Sequence, residues 1–206
     1  TALWERRGLP AAAALGELGL DPLGTLARHG RLAGTIDDEL ADLGWRAAEC
    51  ARNRPAVVPV RVDATVHGDA GGSDAFEVAA ALATGVAYLR AMTDAGLGVD
   101  DALARISFRL NAGADQFATM AKLRAARRCW ARVAEASGAG PEATGMILHA
   151  VTAKAMYSRR DPWVNLLRAT LACFAAAAAG ADAITVLPFG RSEEHPSELQ
   201  SPYVIS

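Results

Sequence analysis

Hydrophobic and polar positions along this 206-residue chain switch repeatedly between strand-like and helix-like spacing. Val57–Val62 (VVPVRV) is a β-branched run behind Pro55 and reads as a buried parallel strand. Ser73–Met92 reads as a helix, with Asp74 and Glu77 at capping-box-like spacing and Phe76, Ala80, Ala83 and Val86 on one face. Ile106–Leu110 is a second strand, followed by a helix from Asp115 to Ser137. Gly145–Val151 (GMILHAV) is a weaker third strand. Asp161 and Pro162 then supply an N-cap and a first-turn proline for a helix over Trp163–Ala179, and Ala183–Leu187 is the fourth strand. Upstream, Thr35–Arg52 reads as a helix with Leu40, Leu43 and Ala47 turned inward.

Strands that recur about every 40 residues, each followed by a long crossover helix, imply an α/β fold with a parallel sheet and right-handed connections. Periodicity alone leaves two forms open, an open doubly wound sheet and part of a (β/α)8 TIM-type barrel. Residues 1–34 read as an N-terminal connecting segment, and residues 35–190 as the βα body. Residues 191–206 (RSEEHPSELQSPYVIS) break the pattern: they are polar, hold Pro196 and Pro202, and show neither period. That tail resembles translated sequencing-adapter sequence and is expected to be non-native and disordered.

A hydrophobic content of 51% is enough for a substantial core. The net charge of −2 disfavours partners that need a basic field, nucleic acid and anionic membranes among them. The longest apolar run, Ala169–Ala181, is too short to cross a bilayer and lies between Arg168 and Asp182. Near the start, Arg6 and Arg7 precede LPAAAAL in the manner of a signal peptide, but Glu17 interrupts the apolar stretch. Cys50, Cys129 and Cys173 lie far apart within predicted helices. That spacing suits neither a disulfide framework nor a metal cluster, and it points to a reducing, cytoplasmic setting.

Candidate chemistry is sparse. The loop Asp69–Ser73 (DAGGS) follows a strand and opens a helix, but it lacks the spacing of a dinucleotide or phosphate loop and reads as a tight βα turn. His67, just before it, stands where barrel enzymes place working residues. His149 sits within the third strand, has no second ligand at metal spacing, and reads as a core or pore-lining histidine. Lys122, Arg124, Arg127, Arg128 and Arg132 form a basic helical stripe, read as a solvated face or subunit contact. Arg159 and Arg160 could meet an anion at a barrel mouth or simply flank a helix start; the second reading is preferred, because cations oppose the dipole there.

Two blocks add a resemblance. Ile106–Val133 (ISFRLNAGADQFATMAKLRAARRCWARV) and Arg159–Phe189 (RRDPWVNLLRATLACFAAAAAGADAITVLPF) resemble the acyl-CoA mutase barrel of the methylmalonyl-CoA mutase family, and GADAITVLPF resembles its small subunit. The resemblance implies a partial (β/α)8 barrel whose pore admits the pantetheine arm of a CoA thioester. It also implies a part in the adenosylcobalamin-dependent interconversion of methylmalonyl-CoA and succinyl-CoA, as the small subunit of a heterodimer with a catalytic large subunit. In that family a separate domain binds cobalamin through an Asp-x-His-x-x-G loop.

Catalytic chains of the family hold Tyr-His before a Glu-Ala-Gly loop. The loop corresponds here to Asp69-Ala70-Gly71 and the pair to Thr65-Val66, with His67 one position later. Their Arg-x-His-x-Gln string corresponds to Ile147-Leu148-His149-Ala150-Val151, in which only the histidine remains. Loss of the arginine and glutamine removes the charge-assisted grip on a thioester. The chain is therefore expected to support an isomerase rather than to catalyse alone, and His67 and His149 are the only catalytic candidates. The alternatives are a catalytic chain of the same family, an unrelated barrel enzyme, or a binding protein. A phosphate loop after the last strands would favour an unrelated barrel enzyme, and none precedes Phe189.

Overall fold

The computed structural model describes residues 4, 6–8, 10–192 and 203–205. Strands β1 (Gly16–Leu20), β2 (Val57–Asp63), β3 (Ile106–Ala112), β4 (Ile147–Thr152) and β5 (Ala183–Val186) neighbour one another in chain order, and β6 (Tyr203–Ile205) follows β5. β1 pairs in parallel with β2, and β4 with β5. Between β2 and β3, Val60 N–H donates to Arg105 O and Ala64 N–H to Arg109 O, so both chains advance together, as parallel strands do. A doubly wound sheet reverses its strand order at a switch point, and this one does not. Five parallel strands in chain order with intervening helices place the chain in the α/β class as a partial (β/α)8 barrel.

β1 lies in the stretch read as a connecting segment. Its sequence, GELGL, has two glycines and no β-branched residue, and it is largely exposed, so it gives no strand signal. The tail expectation falls mostly on residues 193–202 and 206, outside the described residues. Tyr203–Ile205 pair antiparallel with Val186–Ile184.

The chain divides into two compact units. The first comprises Thr1–Val62, Ala83–Ser107 and Trp130–Met146. It contains helices α1 (Pro22–His29) and α2 (Ile36–Asn53). Thr35 opens α2 with a reciprocal capping box to Asp38, and Leu43 and Ala47 are buried at 2% and 0% as the periodicity predicts. Gly44 on α2 abuts the later segment of this unit so closely that a Cβ would stand 2.3 Å from Ala91 O. Buried Tyr88 donates to Asp21 Oδ1 (2.6 Å) and accepts from Leu23 N–H (2.9 Å). Burial and Asp21 push its phenol pKa far up, so it stays a donor. Arg61 and the Ser107 hydroxyl both donate to the Glu17 carboxylate.

The second unit comprises Asp63–Leu82, Phe108–Cys129 and Ile147–Ser206. It holds the short helix α3 (Thr65–Asp69) and the start of α4 (Asp74–Asp94). A brief helix α5 (Val99–Leu103), in the first unit, precedes β3, and α6 (Gln116–Ala136) follows it. The helix α7 (Val164–Ala178) joins β4 to β5.

The inward face of α4 differs from the one expected. Phe76 is 56% exposed, whereas Glu77, Ala81, Tyr88, Leu89 and Met92 are buried. Glu77 is no capping residue; Ser73 Oγ accepts from Phe76 N–H in that role (3.2 Å). The Glu77 carboxylate accepts from Asn111 N–H (2.6 Å) and from Lys122 Nζ (3.2 Å), and Lys122 also reaches Asp74 (2.7 Å). A hydropathy reading places a glutamate outside, but this charge is paired and turns the helix with it. By length and apolar composition α4 would suffice to cross a membrane. In this fold it is the β2-to-β3 crossover, with Glu77 and Tyr88 buried.

Lys122 also overturns the basic stripe on α6: it points inward, and its side chain is 4% exposed. Arg124 instead donates to Ala178 O (3.0 Å), while Arg127 pairs with Asp182 (2.9 Å) and donates to Gly180 O. These cations meet the carbonyl end of α7, where its dipole favours them. At the other end of α7 the expected Asp161 cap is absent: Trp163 is the N-cap residue and makes no side-chain cap bond. Fully buried Asn165 holds the entry loop, accepting from Ser158 N–H (2.9 Å) and donating to Ser158 O (2.9 Å) and Phe189 O (3.0 Å).

Two stability effects are expected. Gly44→Ala gains up to about 1 kcal/mol of helix propensity but loses about 1–3 kcal/mol to overpacking. Urea unfolding is expected to show net destabilisation, and a gain would mean that the contact with Ala91 yields. Burial raises the Glu77 pKa, with Lys122 and the Asn111 N–H opposing it. The folded state thus holds this proton more tightly than the unfolded one, and stability falls as pH rises through the raised value. Lys122→Met leaves Glu77 uncompensated and is expected to cost about 3 kcal/mol near pH 8 and clearly less near pH 5.5. A pH-independent loss would exclude Glu77 as the responding group.

Candidate functional site

Polar side chains of the second unit gather at the carboxyl ends of its strands, the end at which barrel enzymes do chemistry. Alternation along β3 separates two faces: Phe108, Leu110 and Ala112 are buried at 0% on one, and Arg109 lies on the other with Asn111. At the end of β2, Asp63 accepts from Thr65 N–H (3.2 Å) and Thr65 Oγ1 (2.5 Å) through one oxygen, and from Arg109 Nη1 (3.3 Å) through the other. Asn111 Nδ2 donates to Thr65 O (3.1 Å), tying α3 to β3. Arg109 Nε is buried and has no hydrogen-bond partner.

Gly68 admits this close approach, because a Cβ there would stand 2.6 Å from Asn111 Nδ2 and 2.7 Å from Glu77 Oε2. The DAGGS loop is the tight turn expected: Gly72 N–H donates to His67 O (2.9 Å), and Gly71 adopts φ +93°. Asp69 in this loop pairs with Lys154 beyond β4 (2.7 Å). Thr152, at the end of β4, bonds Tyr157 (2.9 Å) and accepts from Leu187 N–H (2.9 Å), and Tyr157 donates to Leu187 O (2.9 Å), fixing the ends of β4 and β5.

The two candidate histidines have different surroundings. His67 lies on α3, four residues past the end of β2, with its ring edge-on to Phe76 at 5.6 Å between centroids. His149 is within β4, its Nε2 2.7 Å from Thr185 Oγ1. Ile147, His149 and Val151 alternate with buried Leu148, Ala150 and Thr152 and so share one strand face. The histidine is thus flanked on its own face by two apolar side chains. Among the described residues no group of three His, Cys, Asp or Glu side chains could hold a metal ion. Sequence reasoning missed Asp63, Arg109 and Asn111. Their signal was an acid, a base and an amide inside otherwise apolar strands.

The family model for methylmalonyl-CoA mutase matches residues 1–201. The methylmalonyl-CoA mutase small subunit of Streptomyces virginiae is 52% identical over 187 residues, 91% of this chain and 30% of that protein. The small subunit of Propionibacterium freudenreichii subsp. shermanii is 38% identical over 187 residues, 91% of this chain and 28% of that protein. The methylmalonyl-CoA mutase large subunit of Porphyromonas gingivalis is 33% identical over 128 residues, 62% of this chain and 18% of that protein. The chain thus spans about 30% of the length of the first of these relatives. With a family match over nearly its whole length and a parallel βα order to go with it, the chain belongs to the methylmalonyl-CoA mutase family.

Proposed function

We propose that this chain acts as part of a methylmalonyl-CoA mutase small subunit, supporting a catalytic large subunit rather than supplying the reacting groups. The reaction served is the interconversion of methylmalonyl-CoA and succinyl-CoA. The observation that carries this reading is the β4 face: of Ile147, His149 and Val151 only the histidine is polar, and Thr185 Oγ1 lies 2.7 Å from its Nε2. A bound thioester carbonyl facing isoleucine and valine would lose its hydrogen bonds, at a cost of about 1–3 kcal/mol for each unsatisfied group. The polar residues that remain, Asp63, Thr65, Arg109 and Asn111, are bonded to one another.

In the holoenzyme, bound adenosylcobalamin supplies the radical chemistry. These residues do not fit that group. The histidines stand at 29, 67, 149 and 195, and the positions two before them are Ala27, Thr65, Ile147 and Glu193, so none forms the Asp-x-His pair of the cobalt-binding loop. The partner is the large subunit, and a reducing, cytoplasmic setting suits three free thiols, one of them the buried Cys50.

The test is turnover of the assembled mutase with His67→Ala or His149→Ala in this chain. Both variants are expected to stay within about twofold of the parent. Removal of a working general acid or base would cost about 100-fold or more, and a loss of that size in either variant would return this chain to the catalytic class.

A further inference from the structure

A cleft of about 810 Å³ opens within the first unit, at the carboxyl end of β1. Its wall comes from one stretch of chain, running from Gly19 in β1 through α1 to Leu43 in α2. The space exists because α1 stands off the core: none of its eight residues is buried. The helix is held at its ends instead. Asp21 caps the first turn, accepting from Gly24 N–H (3.0 Å), and is itself held by Tyr88 (2.6 Å). Gly30 closes the other end in the left-handed conformation, at φ +69°. Across the gap, α2 is fixed by its capping box and by Leu43, which is 2% exposed.

The chemistry of the wall is uneven. Leu20, Pro22, Leu32 and Leu43 make part of it apolar. Its acids are already engaged: Asp42 pairs with Arg46 (2.6 Å), Glu39 accepts from Gly34 N–H (3.2 Å), and Asp21 is held as above. The two basic side chains are not. Among the described residues neither His29 nor Arg31, on either side of Gly30, has a hydrogen-bond or ion-pair partner. Both carry N–H donors, and a guanidinium binds carboxylate or phosphate through charge-assisted hydrogen bonds. The volume exceeds what a bare ion needs and falls in the range of clefts that hold small organic molecules, about 300–1,000 Å³.

We infer that this cleft binds a small organic anion, its carboxylate or phosphate on Arg31 and His29 and its apolar body along Leu20, Pro22, Leu32 and Leu43. The inference goes beyond the subunit reading and does not rest on it, because every wall residue belongs to this chain. The experiment titrates the full 206-residue chain calorimetrically, with octanoate as the probe. Arg31→Gln is expected to weaken octanoate binding by about tenfold or more, as loss of a hydrogen bond to a charged group does. Ala33→Phe, at an exposed position of the wall, is expected to abolish binding by filling the space, with an unchanged circular dichroism spectrum. Trp45→Glu, exposed on α2 outside the cleft, is expected to leave binding intact.

Two further probes separate charge from bulk. Inorganic phosphate lacks the apolar body and octylamine reverses the charge, and each is expected to bind about tenfold or more weakly than octanoate. If octanoate does not bind, or binds equally well to Arg31→Gln or to Ala33→Phe, the site is overturned. If phosphate binds as tightly as octanoate, the apolar wall has no part in recognition and the ligand class falls. Octylamine binding as tightly overturns it too, because the acids rather than Arg31 and His29 would then select the ligand.

Discussion

The pairing of Lys122 with Glu77, closed by the Asn111 N–H, sets more of the second unit than any other contact. Ionised groups with side chains 4% and 1% exposed can remain only when each has a partner, because desolvation costs several kcal/mol per ion. The pair therefore fixes the rotation of α4 and of α6 about their axes and the height of both against the end of β3. Gly68 follows from the same constraint, since the carboxylate and the Asn111 amide occupy the volume a side chain would need. Three elements and one turn are thereby set at the carboxyl end of the strands, where a barrel of this class places its working residues.

Around that anchor, the strand faces divide the work. Phe108, Leu110, Leu148 and Ala150 form a wholly buried apolar side, which supplies the hydrophobic stabilisation. Asp63, Arg109 and His149 stand on strand positions that alternate with it or close the strand, and each is bonded within the protein. Here Asp63 is committed through both oxygens, to Thr65 and Arg109, and His149 to Thr185. Arg109 Nε is the exception, buried without a hydrogen-bond partner.

How much of this was legible depended on whether hydrophobicity or pairing decided the residue's place. β2, β3, β4, β5 and the helices between them follow from apolar periodicity, because burial of Val60, Phe108 and Leu148 decides those positions. β1 was not legible, since GELGL has no β-branched residue and is held by pairing with β2 rather than by its own burial. The phase of α4 was misread for a related reason: Glu77 looked like a cap and Phe76 like core, and only a lysine 45 residues away reverses the two. Lys122 looked like one member of a basic stripe until the same pairing turned it inward. Of the candidate site, the two histidines were visible as residue types, but their partners Thr185 and Phe76 belong to tertiary structure. Asp63 and Arg109 were visible only as polar residues in apolar strands, without a reason to join them.

The same separation explains α7. Composition alone describes it as an apolar helix to be buried, and the fold buries it, but by its alanines. Burying the leucines and Phe174 against β4 and β5 would push the helix away from strands whose own residues, Leu148, Ala150 and Ile184, already fill that layer. Small residues inward and large ones outward let one helix close a core and present a surface. A helix serving a core alone would gain more by the opposite arrangement, since each large apolar side chain buried is worth about 1.5–3 kcal/mol. The arrangement forgoes that gain in exchange for close contact between α7 and the two strands.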